Sequence, residues 1–208
     1  MTLQRISPAR LWPIMAVLAA IWLLALGLGG PSSPQDRAVF ALFFAQEHSW
    51  LVELAWWVTG LGDWLVLVPL ALGVALYLFL RHRQQEAMTL IVAASLVRLL
   101  ATVQKEVFDR ARPGVEHWMM ETSASFPSAH SANSAATYLA IALLLGGKRA
   151  VLAGAALLTL VVGMSRMVLG VHWPSDVIGG WAFGSAIALI VVLAGQRWSE
   201  GLARPDRA

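Results

Sequence analysis

The sequence predicts an all-α integral membrane protein: a bundle of six transmembrane helices with a further helix at the extracytoplasmic interface. Two observations predict this fold class. Hydrophobic residues make up 58% of the 208 residues and charged residues only 13%, about half the share usual in soluble domains, and long uncharged runs recur along the chain. The absence of cysteine excludes disulfides and thiolate metal sites. The length suits one membrane-embedded domain over 1–208.

Six apolar segments are long enough, or nearly so, to cross a bilayer, for which about 20 residues are needed. The segments 11–30 and 64–80 are uncharged, and the segment 87–104 carries only Arg98. The remaining three, also uncharged, are 131–147, 150–165 and 177–196. The first segment follows basic residues, as a signal peptide does, but its apolar run is long and no clear cleavage site follows. We therefore expect a retained anchor.

A further apolar segment, about 38–62, contains the charged or titratable residues Glu47, His48 and Glu53. Large apolar residues recur in it at helical spacing: Trp50, Leu51, Leu54, Trp57, Val58 and Leu61. Tryptophan is favoured at the membrane interface, so the segment is predicted to be an amphipathic helix on the extracytoplasmic surface. A seventh span is the alternative.

The distribution of basic residues predicts that both termini are cytoplasmic. With that orientation the cytoplasmic ends of the spans hold Arg5, Arg10, Arg81, Arg83, Lys148, Arg149, Arg197, Arg204 and Arg207. Lys and Arg are enriched in cytoplasmic loops, which fits a multi-pass protein of the inner or plasma membrane. Because these residues are spread along the chain, the net charge of +3 does not indicate a nucleic-acid partner.

Four basic residues remain on the extracytoplasmic side, between Lys105 and Arg166, where the same rule predicts few. Three polar clusters share that side: KEVFDRARP (Lys105 to Pro113), PSAH (Pro127 to His130) and SRMVLGVHWPSD (Ser165 to Asp176). Each cluster lies where a predicted helix starts or ends. The three can therefore converge on one site.

The residue types in these clusters suit a phosphoryl group, which binds guanidinium forks, ammonium groups and backbone N–H groups. The cations available are Lys105, Arg112 and Arg166. Ser128 precedes a predicted helix, whose positive N-terminal end attracts anions. Two histidines suit a double displacement, in which one attacks phosphorus and the other protonates the leaving oxygen. Asp176, four residues after His172, can fix the tautomer of that histidine.

These residues resemble the type 2 phosphatidic acid phosphatase family, whose pattern is K-x6-R-P, then P-S-G-H, then S-R-x5-H-x3-D. Lys105 and Arg112-Pro113 match the first element, and Ser165-Arg166, His172 and Asp176 match the third, both at full spacing. The second element reads Pro127-Ser128-Ala129-His130, with alanine where the family usually has glycine. The motifs cover under a fifth of the chain, and the six-span layout of the membrane members agrees with the predicted spans.

The resemblance implies a role for each matched position. His172 is implied to be the nucleophile that becomes phosphohistidine, Asp176 its orienting group, and His130 the acid that protonates the leaving group and later activates water. Lys105, Arg112, Arg166, Ser128 and Ala129 are implied to bind the phosphate. Ala129 retains its N–H group, and we expect it to be tolerated if the backbone there is helical. The family needs no metal or other cofactor.

Four charged residues lie near these motifs. For two of them, a role in the site and a structural role are both open, and for the other two no role in the site is expected. Arg98 lies seven residues before Lys105, and thus about 10 Å deeper on the same side of a helix; it either assists catalysis or forms a structural pair. Arg110 either touches substrate or balances Asp109. Asp63 is expected to cap a helix rather than reach the site, and Glu121 to be a solvated loop acid.

The expected function is hydrolysis of a lipid phosphate or diphosphate on the extracytoplasmic face, in cell-envelope or phospholipid metabolism. Family-level reasoning favours undecaprenyl diphosphate, with phosphatidylglycerophosphate, phosphatidate and lipid A phosphate as other candidates. Two alternatives remain: a lipid phosphotransferase that uses the same site, and a non-enzymatic membrane protein that binds a lipid phosphate. A metal pair formed by His172 and Asp176 lacks an evident third ligand.

Overall fold

The computed structural model describes residues 8–45 and 49–202, and within them the chain forms eight α-helices and no strand. The helices are α1 (Pro8–Leu28), α2 (Pro34–Phe43), α3 (Trp50–Gly60), α4 (Trp64–Leu80), α5 (Gln84–Phe108), α6 (Ala129–Leu144), α7 (Arg149–Val168) and α8 (Pro174–Leu202). Large apolar side chains are exposed along the outer helices, including Leu23, Leu24, Leu65, Leu72, Leu76 and Phe79. Such a continuous apolar surface is rare on soluble proteins and fits contact with lipid.

Each predicted span coincides with a helix, but length and apolarity do not establish all six crossings. Five stretches are long and apolar enough to cross a membrane: Leu11–Leu28, Trp50–Leu80, Gln84–Phe108, Arg149–Val168 and Pro174–Ser199. Helix α6, with 16 residues, is shorter than they are. The count of six spans therefore stays a prediction.

The segment predicted as one interfacial helix over about 38–62 is two helices, α2 and α3, in the described structure. Ser33 and Ser49 cap their N-termini, each accepting a hydrogen bond from the backbone N–H three residues on. Residues 46–48, which include Glu47 and His48, lie outside the described residues. The same holds for 1–7 and 203–208, so the predicted cytoplasmic position of the termini is not addressed by the structure.

Helix α6 lies at the centre of the bundle and packs on α5, α7 and α8. Its face toward the core is lined with alanine, and the facing side of α8 carries glycine. A Cβ atom built on Gly184 would lie 2.1 Å from the carbonyl oxygen of Ala132, and one on Gly180 would lie 2.7 Å from that of Ser128. Small residues thus let the backbones of α6 and α8 approach closely, as is common between membrane helices.

Four helix ends meet at one end of the bundle and position the polar clusters. Helix α5 ends at Phe108, and the left-handed backbone of the C-cap residue Asp109 turns the chain into the loop before α6. Helix α7 ends at Val168, and Gly170, with φ of 77°, supplies the left-handed residue that reverses the chain toward α8. The Ser128 N–H donates to the Asp176 carbonyl oxygen (3.0 Å), which joins the N-terminal ends of α6 and α8.

Candidate active site

His172, in the turn between α7 and α8, lies at the centre of the cluster. Its side chain is fully buried, and its two ring nitrogens face different groups. Nδ1 is 3.4 Å from the Ser125 Oγ and 3.6 Å from Asp176 Oδ2. Nε2 is 3.4 Å from the Arg112 NH1. One nitrogen thus faces the acidic side of the site, and the other faces the cationic side.

The sequence-predicted orienting group, Asp176, is held by three neighbours besides His172. Oδ2 accepts hydrogen bonds from the Ser125 Oγ (2.5 Å) and the Trp173 N–H (2.9 Å). Oδ1 accepts from Arg110 NH1 (2.8 Å) in an ion pair whose side chains are 8% and 0% exposed. Arg110 therefore pairs with Asp176, and not with Asp109, the neighbour that the sequence suggested.

Arg110 also joins three helices around that carboxylate. Its NH2 donates to the carbonyl oxygens of Ala25 (3.0 Å) and Leu26 (2.6 Å) in the last turn of α1. Its NH1 donates to the Ser175 Oγ (3.0 Å), which in turn donates to the Asp36 carboxylate of α2. These contacts fix the N-terminal end of α8 against α1 and α2.

Arg166, at the end of α7, is completely buried and faces the same cluster. Its NH1 donates to the Thr59 Oγ1 (2.8 Å), and its NH2 donates to the carboxylate of Glu121. The other oxygen of Glu121 lies 3.4 Å from Arg112 NH2. The prediction of a solvated Glu121 is thus wrong, because two guanidinium groups contact this carboxylate and its side chain is only 23% exposed.

Lys105 and Arg112 both contact the loop that precedes α6. The Lys105 ammonium, at the end of α5, donates to the Ala124 carbonyl oxygen. Arg112 donates to the carbonyl oxygens of Ser123 (2.7 Å) and Val171 (2.6 Å). These backbone contacts hold both cations near His172.

The second histidine, His130, is in the first turn of α6. Its Nε2 is buried, has no hydrogen-bond partner among the described residues, and is 3.7 Å from Asp63 Oδ2. The prediction that Asp63 caps a helix holds, since its Oδ1 accepts from the Leu65 N–H (2.9 Å). The same residue also reaches the site through its second oxygen.

A cavity of about 530 Å³ opens in front of His130. It is lined by Trp56, Asp63, His117, Trp118, Met119, Met120, Glu121 and His130. Neither Arg112, Arg166 nor His172 lines it, because the Glu121 carboxylate stands between the cavity and the guanidinium groups. The cavity leads to the cluster but is closed off from the buried cations.

Ser128 and Ala129 begin α6 as the sequence suggests. Ser128 is the N-cap residue, and its Oγ accepts from the Ser131 N–H (3.5 Å). Ala129 is the first helical residue, and its φ is not positive; within the described chain only His82 and Asp109 are non-glycine residues with positive φ. Alanine therefore fits where a glycine is usual. The first N–H groups of a helix have no partner inside it, so those of Ala129 and His130 are free to bind an anion.

The structure places Arg98 away from this cluster. Its side chain is exposed on α5, and its guanidinium carbon lies 5.9 Å from the centroid of the Trp64 ring on α4. The helical spacing from Lys105 is preserved, but Lys105 is buried under the loop and Arg98 is not. Of the two interpretations of Arg98, the structure supports a contact with an aromatic ring rather than with the site.

The buried, cationic surroundings determine the protonation of the groups outside the membrane-spanning segments. Burial, and after it the positive charge of Arg112, lowers the pKa of His172 well below its ordinary value. Its imidazole is therefore neutral at neutral pH, as a nitrogen nucleophile must be. Burial also lowers the pKa of Arg112, but a guanidinium remains charged at neutral pH.

Sequence reasoning missed the residues that support this site from a distance along the chain. Ser125, Glu121 and Thr59 carry no motif, and their contacts with the cluster span 51, 45 and 107 residues. The exclusion of a metal pair at His172 and Asp176 rested on the lack of a third ligand. No group of three or more His, Asp or Glu side chains suited to a metal occurs within 8–45 and 49–202.

Comparisons with known proteins identify the family of the chain. The model of the PAP2 superfamily matches residues 86–200, which contain all three motifs. The chain is 32% identical over 164 residues to phosphatidylglycerophosphatase B of Bacillus subtilis, covering 75% of this chain and 81% of that protein. It is 28% identical over 185 residues to an undecaprenyl-diphosphatase of Sulfolobus acidocaldarius, covering 86% and 87%.

A solved structure supports the fold. The crystal structure of a transmembrane PAP2-type phosphatidylglycerolphosphate phosphatase from Bacillus subtilis superposes with a TM-score of 0.79 at 28% identity, covering 92% of this chain and 98% of that one. The family resemblance of the three motifs is thereby confirmed. The chain belongs to the PAP2 superfamily and is a multi-pass membrane lipid phosphatase.

Proposed function

We propose that this phosphatase hydrolyses lipid phosphate monoesters through a phosphohistidine formed on His172, on the extracytoplasmic face of the membrane. The observation that carries the proposal is the orientation of His172. Its Nδ1 faces Ser125 and Asp176, while its Nε2 lies 3.4 Å from a guanidinium nitrogen of Arg112. A phosphate bound by that guanidinium would present its phosphorus to a neutral nitrogen with a free electron pair.

In the first step, the Nε2 lone pair of His172 attacks phosphorus, and the bond from phosphorus to the lipid oxygen breaks. The bonding electrons pass to the lipid oxygen, which takes a proton from His130 and leaves as an alcohol. Burial, and after it the positive charge of Arg166, lowers the pKa of His130, and the negative charges of the bound phosphate would oppose this and favour its protonated form. The products of this step are the lipid alcohol and Nε2-phosphohistidine.

In the second step, neutral His130 takes a proton from a water molecule whose oxygen attacks phosphorus. The bond from phosphorus to Nε2 breaks, and its electrons return to His172. Inorganic phosphate leaves, and His130 has regained its proton. The same histidine thus acts first as acid and then as base.

The cations stabilise the charge that spreads over the equatorial oxygens during both steps. Arg166 Nε is a buried polar atom without a hydrogen-bond partner among the described residues, and His130 Nε2 is another. Buried polar atoms are rarely left unpaired. Phosphate oxygens would satisfy the guanidinium N–H, and the leaving oxygen would satisfy the imidazole.

Charge at the cavity favours a monoester over the diphosphate preferred from the sequence alone. The residues lining the cavity include the carboxylates of Asp63 and Glu121 and no Lys or Arg. In a diphosphate the second phosphate is bonded directly to the first, so it would lie in this region against the carboxylates, which is unfavourable. In phosphatidylglycerophosphate a glycerol unit separates the terminal monoester from the other phosphate. The name of the relative from Bacillus subtilis, phosphatidylglycerophosphatase B, supports phosphatidylglycerophosphate as the first substrate to assay.

The test is phosphate release by purified protein in detergent from four substrates assayed side by side. They are phosphatidylglycerophosphate, phosphatidate, a lipid A phosphate and undecaprenyl diphosphate. We expect release to be fastest from a monoester, and faster release from the diphosphate would contradict the substrate assignment. An added lipid alcohol as acceptor distinguishes transfer from hydrolysis.

The mechanism is tested on His172→Ala, with His82→Asn as the matched control. His82 lies at the opposite end of the bundle with a φ of 58°, a conformation that asparagine tolerates. We expect His172→Ala to lose activity and the acid-labile phosphoenzyme trapped from labelled substrate, while the control retains both. Phosphate release by His172→Ala at the unmodified rate would refute the phosphohistidine mechanism.

A further inference from the structure

Ser125 occupies the position between the nucleophile and its orienting carboxylate. It is fully buried in the loop before α6, and its N–H donates to the Arg110 carbonyl oxygen (2.7 Å). Its Oγ is 2.5 Å from Asp176 Oδ2 and 3.4 Å from His172 Nδ1. It belongs to none of the three motifs.

The carboxylate of Asp176 does not itself reach the histidine within hydrogen-bond distance. The separation of its Oδ2 from His172 Nδ1 is 3.6 Å, longer than an ordinary N–H···O bond. That oxygen already accepts from the Trp173 N–H and the Ser125 hydroxyl, and the other oxygen accepts from Arg110. The hydroxyl of Ser125 is therefore the nearer oxygen to Nδ1.

The direction of the hydrogen bonds follows from what each group can donate. An ionised carboxylate only accepts, so the single hydroxyl proton of Ser125 points to Asp176. The remaining lone pairs of Oγ can then accept a hydrogen bond from the His172 Nδ1–H. This arrangement places the imidazole proton on Nδ1 and leaves Nε2 unprotonated beside Arg112.

We propose that Ser125 is a positioning residue, which links Asp176 to His172 through its hydroxyl and fixes the tautomer with a free Nε2. The proposal rests on the assignment of His172 as nucleophile. When Nε2 bonds to phosphorus the ring becomes positively charged, and its Nδ1–H becomes a stronger donor. The polarised hydroxyl of Ser125 then stabilises this charge more than it stabilises the neutral ring.

The first experiment uses the unmodified protein, with 15N-labelled histidine, in detergent at neutral pH. The chemical shifts of the two ring nitrogens of His172 report which of them carries the proton. We expect Nδ1 protonated and Nε2 free. A protonated Nε2 would overturn the proposal, whatever the behaviour of any variant.

The second experiment compares Ser125→Ala, Ser125→Thr and Ser134→Ala on a short-chain phosphatidate. Ser134 is an equally buried serine whose Oγ donates to the Ser131 carbonyl oxygen of its own helix. We expect kcat to fall about 10–100-fold in Ser125→Ala, by analogy with the loss of hydrogen bonds that orient metal-binding histidines. KM should change little, Ser125→Thr should recover most of kcat, and Ser134→Ala should match the unmodified protein.

The outcomes separate this proposal from the proposed function. If Ser125→Ala keeps full kcat while His172→Ala is inactive, the role of Ser125 is overturned and the nucleophile assignment stands. A change in KM alone in Ser125→Ala also overturns the role of Ser125. The same holds if Ser125→Thr does not recover kcat and the tautomer of His172 is unchanged in the variants. If His172→Ala remains active, the proposed function itself fails.

Discussion

Glu121 contacts the two guanidinium groups that we propose bind phosphate, so removal of its charge is expected to strengthen phosphate binding. Its carboxylate bridges Arg166 and Arg112 and closes the cavity toward them. A carboxylate in this position competes with phosphate for the same donors and also repels it. Glu121→Gln preserves the shape and one acceptor oxygen while it removes the charge.

The size of the effect follows from the two contacts. A hydrogen bond to a charged group contributes about 1.5–3 kcal/mol and one between neutral groups about 0.5–1.5 kcal/mol. The contact with Arg112 is long at 3.4 Å, and the Glu121 side chain is 23% exposed, so only the contact with Arg166 is counted in full. The difference is about 1–2 kcal/mol, which corresponds to roughly 5–30-fold tighter binding.

The assay is competitive inhibition by inorganic phosphate or vanadate, measured for the unmodified protein, Glu121→Gln and Glu116→Gln. Glu116 is an exposed acid of the same loop and is the matched control for net charge. We expect the inhibition constant to fall in Glu121→Gln and to stay within about two-fold in the control. An unchanged or higher constant in Glu121→Gln would show that the carboxylate organises the arginines rather than competing for them.

Three further predictions follow from the surroundings of His172, the packing of α8 and the position of Arg98. Because burial and nearby cations lower the pKa of His172, the NMR resonances of its ring should not shift as pH falls to 6.5. A titration of these resonances at pH 6.5 would contradict the lowered pKa. An unfolded histidine binds a proton near pH 6.5, so the folded state should lose stability below that pH. Gly184→Ala, whose Cβ would lie 2.1 Å from the Ala132 oxygen, should cost at least about 2 kcal/mol of stability. Gly73→Ala, with nothing within 4 Å, should cost none in the same thermal unfolding assay. Arg98→Leu should retain kcat/KM within about two-fold. A loss of about ten-fold would show that Arg98 contributes to the activity of the site.

The sequence could predict the cluster because its members have distinctive chemistry at fixed spacing near helix ends. Lys105, Arg112 and His172 are conspicuous in an apolar chain, and the boundaries of the predicted spans place them at one end of the bundle. Ser125 and Glu121 could not be predicted in this way. A serine is unremarkable in a loop, and a loop acid has no periodicity that brings it to a partner 45 residues away.

The errors have physical causes of the same kind. Helical spacing correctly predicts that Arg98 and Lys105 lie on the same side of α5. It does not predict that the loop before α6 covers Lys105 and leaves Arg98 exposed. The division of the predicted interfacial helix into α2 and α3 has a signal in Ser49, a residue type that caps helices. The apolar spacing across it concealed that signal. Periodicity thus identified helices more reliably than it identified their neighbours or their ends.

If α6 crosses the membrane as the sequence predicts, its length determines the depth of the proposed site. A helix of 16 residues is about 24 Å long, shorter than the hydrocarbon core of about 30 Å. At its C-terminal end the exposed Lys148 and Arg149 belong at a polar interface, so the shortfall falls at the end that carries His130. A lipid headgroup would then reach His130 by sinking below the plane of its neighbours, with its chains still among theirs.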